Sequence, residues 1–384
     1  MVCTAHPTGA IENVTLTYLA IILLLASTAV CAAFTAVVGK ITRRVGFVAR
    51  PTEDRYHRSV IAIGGGIAIV ATILVFLIAG LLTARFIIEP GRLKGLEPTV
   101  TVYNTHFLGK AGQLIVMLVC IAVLFVTGLI DDIKRLGPFT KLVIQFAVAL
   151  VAAGLADIRV EMFIHNTLIT SLLSAVWIVL VINILNFLDN MDGAAAGIAV
   201  IVAAILFTAA ALSGQVFVGA LAILFIGTLL GFLIFNFPPA KIFMGDAGSL
   251  PLGFLLAVLT IRTTYYHQAQ SGPWYPVLIP LISMAVPLYD FLSVTFLRIK
   301  QGKSPLVGDT QHFSHRLRKL GLTDTQTVLT LYLATLCTGV GAIFLYQVNL
   351  AGAVLIFIQT VMVLSIIAIL ETTTSAKIYP PEAE

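Results

Sequence analysis

Apolar residues run through most of this 384-residue chain, broken only by short polar stretches. Eleven apolar segments stand out, at about 16–39, 60–83, 111–130, 139–156, 171–188, 194–212, 216–235, 249–263, 276–297, 326–346 and 349–370. A helical span of a bilayer needs roughly 20 predominantly apolar residues, and the fourth and eighth segments fall short of that. Only helices and closed barrels satisfy their backbones in lipid, and barrel strands alternate over short stretches. The pattern therefore predicts an all-α, polytopic integral membrane protein with about 11 transmembrane helices. Links such as Ser213-Gly214-Gln215 predict tight hairpins between antiparallel helices. With no Pro/Ser-rich linker, soluble insertion or internal repeat, residues 1–384 read as one integral domain. The 84–110 stretch, with Pro90, Gly91 and Pro98, reads as the one sizeable outer loop, without chemistry.

Composition agrees: 59% of residues are hydrophobic and 11% charged, against about 25% charged in an average soluble chain. The net charge of +5 points to membrane topology rather than to nucleic acid. No basic region precedes the first apolar run, so a cleaved signal peptide is not expected. Cys3, Cys31, Cys120 and Cys337 lack CxxC spacing and read as small core residues, not as disulfide or zinc ligands. Of the 23 Lys and Arg, all but Arg85, Arg92, Lys94, Lys110, Arg159 and Arg262 fall on one side if the N-terminus is outside. The positive-inside rule makes that side cytoplasmic, with the C-terminus there too.

The same parity brings five polar motifs to the cytoplasmic face. They are Arg50-Pro51-Thr52-Glu53-Asp54-Arg55-Tyr56-His57, Asp131-Asp132 with Lys134 and Arg135, the 183–193 run, Met244-Gly245-Asp246-Ala247-Gly248-Ser249, and the 309–316 stretch. Acids in a membrane helix are costly, on the order of 2.5–3.5 kcal/mol at the bilayer centre, and usually serve a site. Asp131 and Asp132 repel each other unless compensated; they suit ion pairs at a helix end, a divalent cation or proton abstraction. Asn183, Asn186 and Asn190 share a helix face, with Asp189 one turn past Asn186 and Asp192 beyond. That density of acid and amide groups points to a site more than to a polar seam. Gly193 permits a sharp turn, and Ala194-Ala195-Ala196-Gly197 allows close helix packing.

Gly245 and Gly248 let backbone amides approach an anion at a helix start, and Asp246 suits a hard cation; alone, the loop reads equally as a helix cap. Gly64-Gly65-Gly66 starts a membrane helix and reads as close packing, not as a nucleotide fingerprint. His312 and His315, among Arg316, Arg318 and Lys319, suit phosphate groups, whereas zinc would need more ligands. Magnesium prefers one or two carboxylates plus phosphate oxygens and water. The residues thus point to Mg²⁺-assisted phosphoryl transfer between a cytosolic phosphorylated substrate and a lipid.

In their order and spacing, Asp131-Asp132, the Asn-x-x-Asn-x-x-Asp-x-x-Asp-Gly run ending at Gly193, Phe243-Met244-Gly245-Asp246-Ala247-Gly248-Ser249 and the late His loop resemble one enzyme group. It is the polyprenyl-phosphate N-acetylhexosamine-1-phosphate transferases, of the WecA and TagO type and related to MraY, and the likeness covers about residues 40–320. The resemblance implies transfer of HexNAc-1-phosphate, GlcNAc-1-phosphate first, from a UDP-N-acetylhexosamine to polyprenyl phosphate with release of UMP. Mg²⁺ would be the cofactor, Mn²⁺ a substitute, a bacterial inner (plasma) membrane the location, and a homodimer a compatible assembly.

By motif position it implies Asn186 and Asp246 as metal ligands and a catalytic set of Asp131, Asp132, Asp189 and Asp192. Asp131 and Asp132 would prepare or position the lipid phosphate; Asp189 and Asp192 would organise the metal and nucleotide site. Asn183, His312, His315 and Arg316 would bind substrate, and which acid serves as base stays open. Asn190 stands where many relatives carry Gly, and His312-Phe313-Ser314-His315 has serine where relatives often carry a third histidine. The shortage of histidines and the wording of the Phe243–Ser249 motif favour the WecA-like branch over the alternative, the MraY type, which transfers phospho-MurNAc-pentapeptide, and Ser314→His would be tolerated if it merely restores the commoner motif. A secondary transporter would place acids near the bilayer midplane in repeated halves, unlike these span ends.

Overall fold

The computed structural model describes residues 7–49, 60–92, 98–160, 164, 166–263, 274–302 and 313–378, with backbone alone at 7–14, 98, 99, 315 and 371–378. Each of the eleven expected segments is largely helical, the second only from Gly65. They are α1 (Pro7–Val45), α2 (Gly65–Thr83, continued by a π-turn at Ala84–Ile88), α4 (Ala111–Lys134), α5 (Pro138–Leu155), α6 (Thr167–Leu188), α7 (Ala194–Leu212), α8 (Val216–Asn236), α9 (Asp246–Arg262), the pair α10 (Ile279–Ser283) and α11 (Ala285–Lys300), α13 (Asp324–Phe344) and α14 (Leu350–Ile378). Among the described residues, nine helices are long and apolar enough to cross a membrane, and the pair Tyr275–Ser283 and Ala285–Lys300, bent by 63°, counts as a tenth when taken as one span. Pro287 contributes to that bend, because it has no N–H for the carbonyl of Ser283, four residues back.

The eighth expected span, α9, behaves differently. Its 17 residues reach about 25 Å at 1.5 Å per residue, less than the roughly 30 Å of a hydrocarbon core. Nearly its whole surface is buried, against α6 and α4 above all. A Cβ on Gly253 would lie 2.5 Å from the Ile182 Cα, so glycine there lets α6 and α9 touch backbone to backbone. The short apolar segment is a central post sheathed by longer helices.

The 84–110 stretch is more ordered than a loop. It contains α3 (Pro98–Gly109), and Phe107 of that helix stacks on Phe217 at 5.6 Å between ring centroids. Pro98 stands at its first position, where a missing N–H costs nothing. Its polar residues hid it from a search for long apolar runs. Cys31 and Cys120 are buried as expected, whereas Cys337 is exposed on α13.

A small sheet was also not foreseen. Strand β1 (Val48–Ala49) pairs antiparallel with β2 (Ile61–Ile63), which pairs in parallel with β3 (Ile242–Phe243). It clips the α1–α2 connection to the α8–α9 connection, next to Gly64-Gly65-Gly66 and Met244. The Gly66 N–H donates to the Met244 carbonyl at 2.9 Å, and a Cβ on Gly66 would lie 2.2 Å from the Gly248 nitrogen. The triple glycine is therefore a packing device, as its position before a membrane helix implied. Gly66→Ala should force α2 away from the 244–248 loop and destabilise the protein by about 1–3 kcal/mol. Gly80→Ala, on the same helix with open space around it, should leave the detergent-solubilised unfolding temperature unchanged or slightly raised. Equal unfolding temperatures for the two variants would contradict the packing assignment.

Candidate active site

The C-terminal ends of α4 and α6 meet the N-terminal ends of α5, α7 and α9 at one end of the bundle. Arg135, at φ +48°, closes α4. Pro138 then opens α5 at its first turn and brings Lys141 back over the Asp131-Asp132 pair. Lys141 Nζ lies 3.0 Å from Asp131 Oδ2 and 2.8 Å from Asp246 Oδ2, bridging α4 and α9. Asp131 Oδ1 also accepts from the Leu136 N–H at 2.6 Å.

Asp132 turns the other way. Its Oδ1 accepts from the Asp246 N–H at 2.9 Å and its Oδ2 from the Ala247 N–H at 3.1 Å. One carboxylate thus satisfies two orphan donors at the start of α9 and meets the positive end of its dipole. Gly245, at φ +72°, makes the approach feasible, since a Cβ there would lie 2.6 Å from Asp132 Oδ2. Gly128 does the same for the helices, because its Cβ would lie 2.2 Å from the Asp246 carbonyl oxygen.

From α6, Asn186 Nδ2 donates to Asp246 Oδ1 at 2.9 Å and to Ser249 Oγ at 2.8 Å. Asn183, one turn earlier, donates to Gln145 Oε1 at 2.7 Å and to the Val179 carbonyl at 2.8 Å, so it joins α6 to α5. Asp189 caps α6. Burial pushes its carboxyl well above the usual carboxylate range, the charges of Asp246, Asp132 and Asp192 push it further, and the Gly245 backbone N–H opposes them. Asp192 Oδ2 accepts from the Ala240 N–H at 2.8 Å and so holds the α8–α9 connection.

The basic elements are reached only in part. The Arg50–His57 motif, Asp309, His312 and the His315 side chain lie outside the described residues. Arg316 sits, partly buried, on the short helix α12 (Phe313–Lys319). The Phe313 N–H donates to Asp290 Oδ1 at 2.7 Å, and Ser314 Oγ donates to Asn190 Oδ1 at 2.9 Å. Nearby, the Arg298 guanidinium stands over the Phe187 ring at 5.3 Å. The two positions where this chain departs from the resembled motifs, Asn190 and Ser314, thus bond to each other. Ser314 is 4% exposed. An imidazole would have to displace packed neighbours and give up this bond, so Ser314→His is not the neutral change the motif comparison implied.

Sequence reasoning missed Lys141, Gln145 and Asp290. Lys141 and Gln145 stand four residues apart at the start of an apolar span, and Asp290 interrupts the 276–297 run; by the rule that intramembrane polar groups mark sites, all three carried a signal. Tyr332 and Asn236, which bind the Gly193 carbonyl at 2.6 Å and the Gly193 N–H at 3.0 Å, carried none.

Asp246 and Asn186 offer adjacent hard oxygen donors beside other carboxylates. Among the described residues, no three His, Cys, Asp or Glu side chains form a ready-made cage. Two protein oxygen donors, with phosphate oxygens and water completing the shell, are how magnesium is usually held. The residue types fit that ion, which would take the place that the Lys141 ammonium holds 2.8 Å from Asp246 Oδ2.

A polytopic helical protein with an acid and amide cluster at one end of its bundle is the class that fold and site define. The sequence profile of glycosyl transferase family 4 matches residues 114–264. The chain is similar to the decaprenyl-phosphate N-acetylglucosaminephosphotransferase of Mycolicibacterium smegmatis, at 30% identity over 76% of this chain and 73% of that protein. It is also similar to a probable undecaprenyl-phosphate N-acetylglucosaminyl 1-phosphate transferase of Bacillus subtilis, at 28% identity over 90% of each. A third relative is the undecaprenyl-phosphate alpha-N-acetylglucosaminyl 1-phosphate transferase of Escherichia coli K12, at 26% identity over 80% of this chain and 79% of that one. The chain belongs to glycosyl transferase family 4, among the polyprenyl-phosphate N-acetylhexosamine-1-phosphate transferases.

Asp132→Ala removes both acceptors at the start of α9. Loss of such a cap costs about 0.5–2 kcal/mol, and Asp246 should shift with the helix end. We expect a lower unfolding temperature together with loss of activity; unchanged values of both would show that the cap does not hold the site.

Proposed function

We propose that the protein transfers GlcNAc-1-phosphate from a UDP-activated sugar to a polyprenyl phosphate at the cytoplasmic face of a bacterial plasma membrane. The observation that carries the reading is the linked set Asp131–Lys141–Asp246–Asn186, a carboxylate, ammonium and amide network joining four helices at one end of the bundle. The names of the relatives point the same way.

In this reading an oxygen of the lipid phosphate attacks the sugar-bound phosphorus of the donor. The bond from that phosphorus to the bridging oxygen breaks, and UMP leaves with the oxygen. Phosphate monoesters have a second pKa of about 6, so the acceptor is largely dianionic near neutral pH and no side chain must deprotonate it. The work left to the protein is positioning and charge stabilisation. Asp246 and Asn186 are the residues that would hold Mg²⁺, which would neutralise charge on the donor diphosphate. Lys141 offers a cation to phosphate oxygens, and Asp131 sets its position through their ion pair. Asp132 and Asp192 act through backbone, the first orienting the start of α9 and the second the α8–α9 connection. Asp189, its carboxyl pushed well above the usual range first by burial and then by the charges of Asp246, Asp132 and Asp192, stands beside them. Arg316 and the histidines at 312 and 315 serve the donor.

The test is UMP release by the purified protein with undecaprenyl phosphate, Mg²⁺ and a panel of UDP-sugars. We expect turnover of a UDP-N-acetylhexosamine and little or none of UDP-MurNAc-pentapeptide, because the site-end connections are short except 40–58 and 298–325, and the second carries basic residues suited to phosphates rather than a peptide. Asp246→Asn and Asn186→Ala should nearly abolish turnover while leaving the helices folded. Full activity in EDTA or in Asp246→Asn would sink the metal assignment, and comparable kcat/KM for the two donors would refute the donor assignment.

Orientation has its own test. Single cysteines replacing Lys134, Lys241 and Lys319 in a cysteine-free background should label only from the cytoplasmic side, and those replacing Arg92 and Gly214 only from outside. The basic excess at the site end supports this. Labelling of the first group from both sides would contradict it.

A further inference from the structure

We propose that Tyr332 and Ser314 are positioning residues for the transfer site, holding from the C-terminal helices the loop that carries Asp189 and Asp192; this rests on the transfer reaction proposed above. That loop is only 189–193, between α6 and α7. It must turn sharply, and Gly193 adopts φ +73° to do so. Both backbone polar groups of Gly193 are taken by side chains from other helices. Asn236 of α8 accepts from its N–H at 3.0 Å, and the Tyr332 hydroxyl of α13 donates to its carbonyl at 2.6 Å. Tyr332 can reach that carbonyl because residue 197 is glycine: a Cβ there would lie 1.9 Å from the tyrosine oxygen.

The other side of the loop is gripped by the neighbouring element. Ser314 of α12 donates to Asn190 Oδ1 at 2.9 Å, while Asn190 Nδ2 donates to the Phe187 carbonyl at 2.7 Å. Helices α12 and α13 are themselves tied by the Arg318–Asp324 ion pair at 2.7 Å, and α12 is seated on Asp290 through the Phe313 N–H. The C-terminal unit therefore holds the loop at Asn190 and at Gly193, on either side of Met191 and Asp192. Tyr332 and Ser314 bind the loop's backbone and amide, so their effect on chemistry runs through the acids they place. Displacing a reacting group by about 1 Å can cost about 100-fold in rate.

The experiment compares full-length wild type with Tyr332→Phe, Ser314→Ala, the double variant, the conservative Ser314→Thr, and Thr330→Ala as an α13 control. UMP release gives kcat and KM, detergent unfolding gives Tm, and hydrogen exchange follows amides 189–194. We expect each single loss of a hydroxyl to lower kcat and kcat/KM together by about 10-fold, and the double variant by up to about 100-fold. KM and Tm should hold, exchange at 189–194 should rise, and Ser314→Thr and Thr330→Ala should keep most of the rate. Wild-type kcat in both single variants would overturn the proposal. So would a rate loss that appears in KM, or one that tracks a fall in Tm, since those mark substrate contact or general stability. If the wild type turns over no UDP-sugar, the transfer reading fails instead. Exchange at 189–194 then decides the clamp: faster exchange in the variants supports it, and unchanged exchange refutes it.

Discussion

A helix that begins inside a protein leaves its first N–H groups without intrahelical acceptors, and in a membrane protein water is a poor substitute. Helix α9 begins in that situation, and the Asp132 carboxylate answers it by accepting from two successive backbone N–H groups. Much of the site follows from that contact. It joins α4 to α9 and leaves the Asp246 side chain facing Lys141 and Asn186. It also requires Gly245 and Gly128, because any Cβ at either position would collide with the groups being joined. Small residues are the usual means of close approach between membrane helices, and here they bring chemistry as well as packing together.

Crowding carboxylates in one place weakens a fold unless their repulsion is offset. This site offsets the repulsion in three ways. Lys141 stands between Asp131 and Asp246, partly shielded from solvent. The α9 dipole and its N–H groups take the charge of Asp132. Asp192 is committed to a backbone N–H of the α8–α9 connection. Burial, and then the charges of Asp246, Asp132 and Asp192, hold the Asp189 carboxyl well above the usual carboxylate range. The acids therefore divide into those that hold helix ends and those that face the shared space, although all look alike in the chain.

The eleven helical segments were legible because lipid permits few alternatives: a long apolar run must satisfy its own backbone, and a helix does so locally. That the Asp131-Asp132, 183–193 and 244–249 motifs meet was legible from parity, since segments joined by short links return to the same end. Misreadings arose where local pattern and environment part. Helix α3 is too polar to look like a span, and α9 resembles a short span although it is buried in protein. The two- and three-residue strands are held by pairing partners remote in sequence, with too few residues to show an alternation.

For the site, the acids and amides announced themselves, because polar groups so close to apolar spans need a reason. Hydrogen-bond partnership did not. Asp131 and Asp132 are adjacent in sequence, yet one bonds an ammonium and the other a helix terminus, and only the crossing of α4 over the start of α9 decides which is which. The Asn190–Ser314 bond links residues 124 positions apart, and Tyr332 reaches Gly193 across 139; no local spacing encodes such pairs. By itself the sequence determined the class of fold, the helices and the identity of the chemical groups, because hydrophobic periodicity and polar cost act locally. Tertiary structure alone decided which oxygen faces which donor, because that depends on helices packed at angles and depths that no single segment specifies.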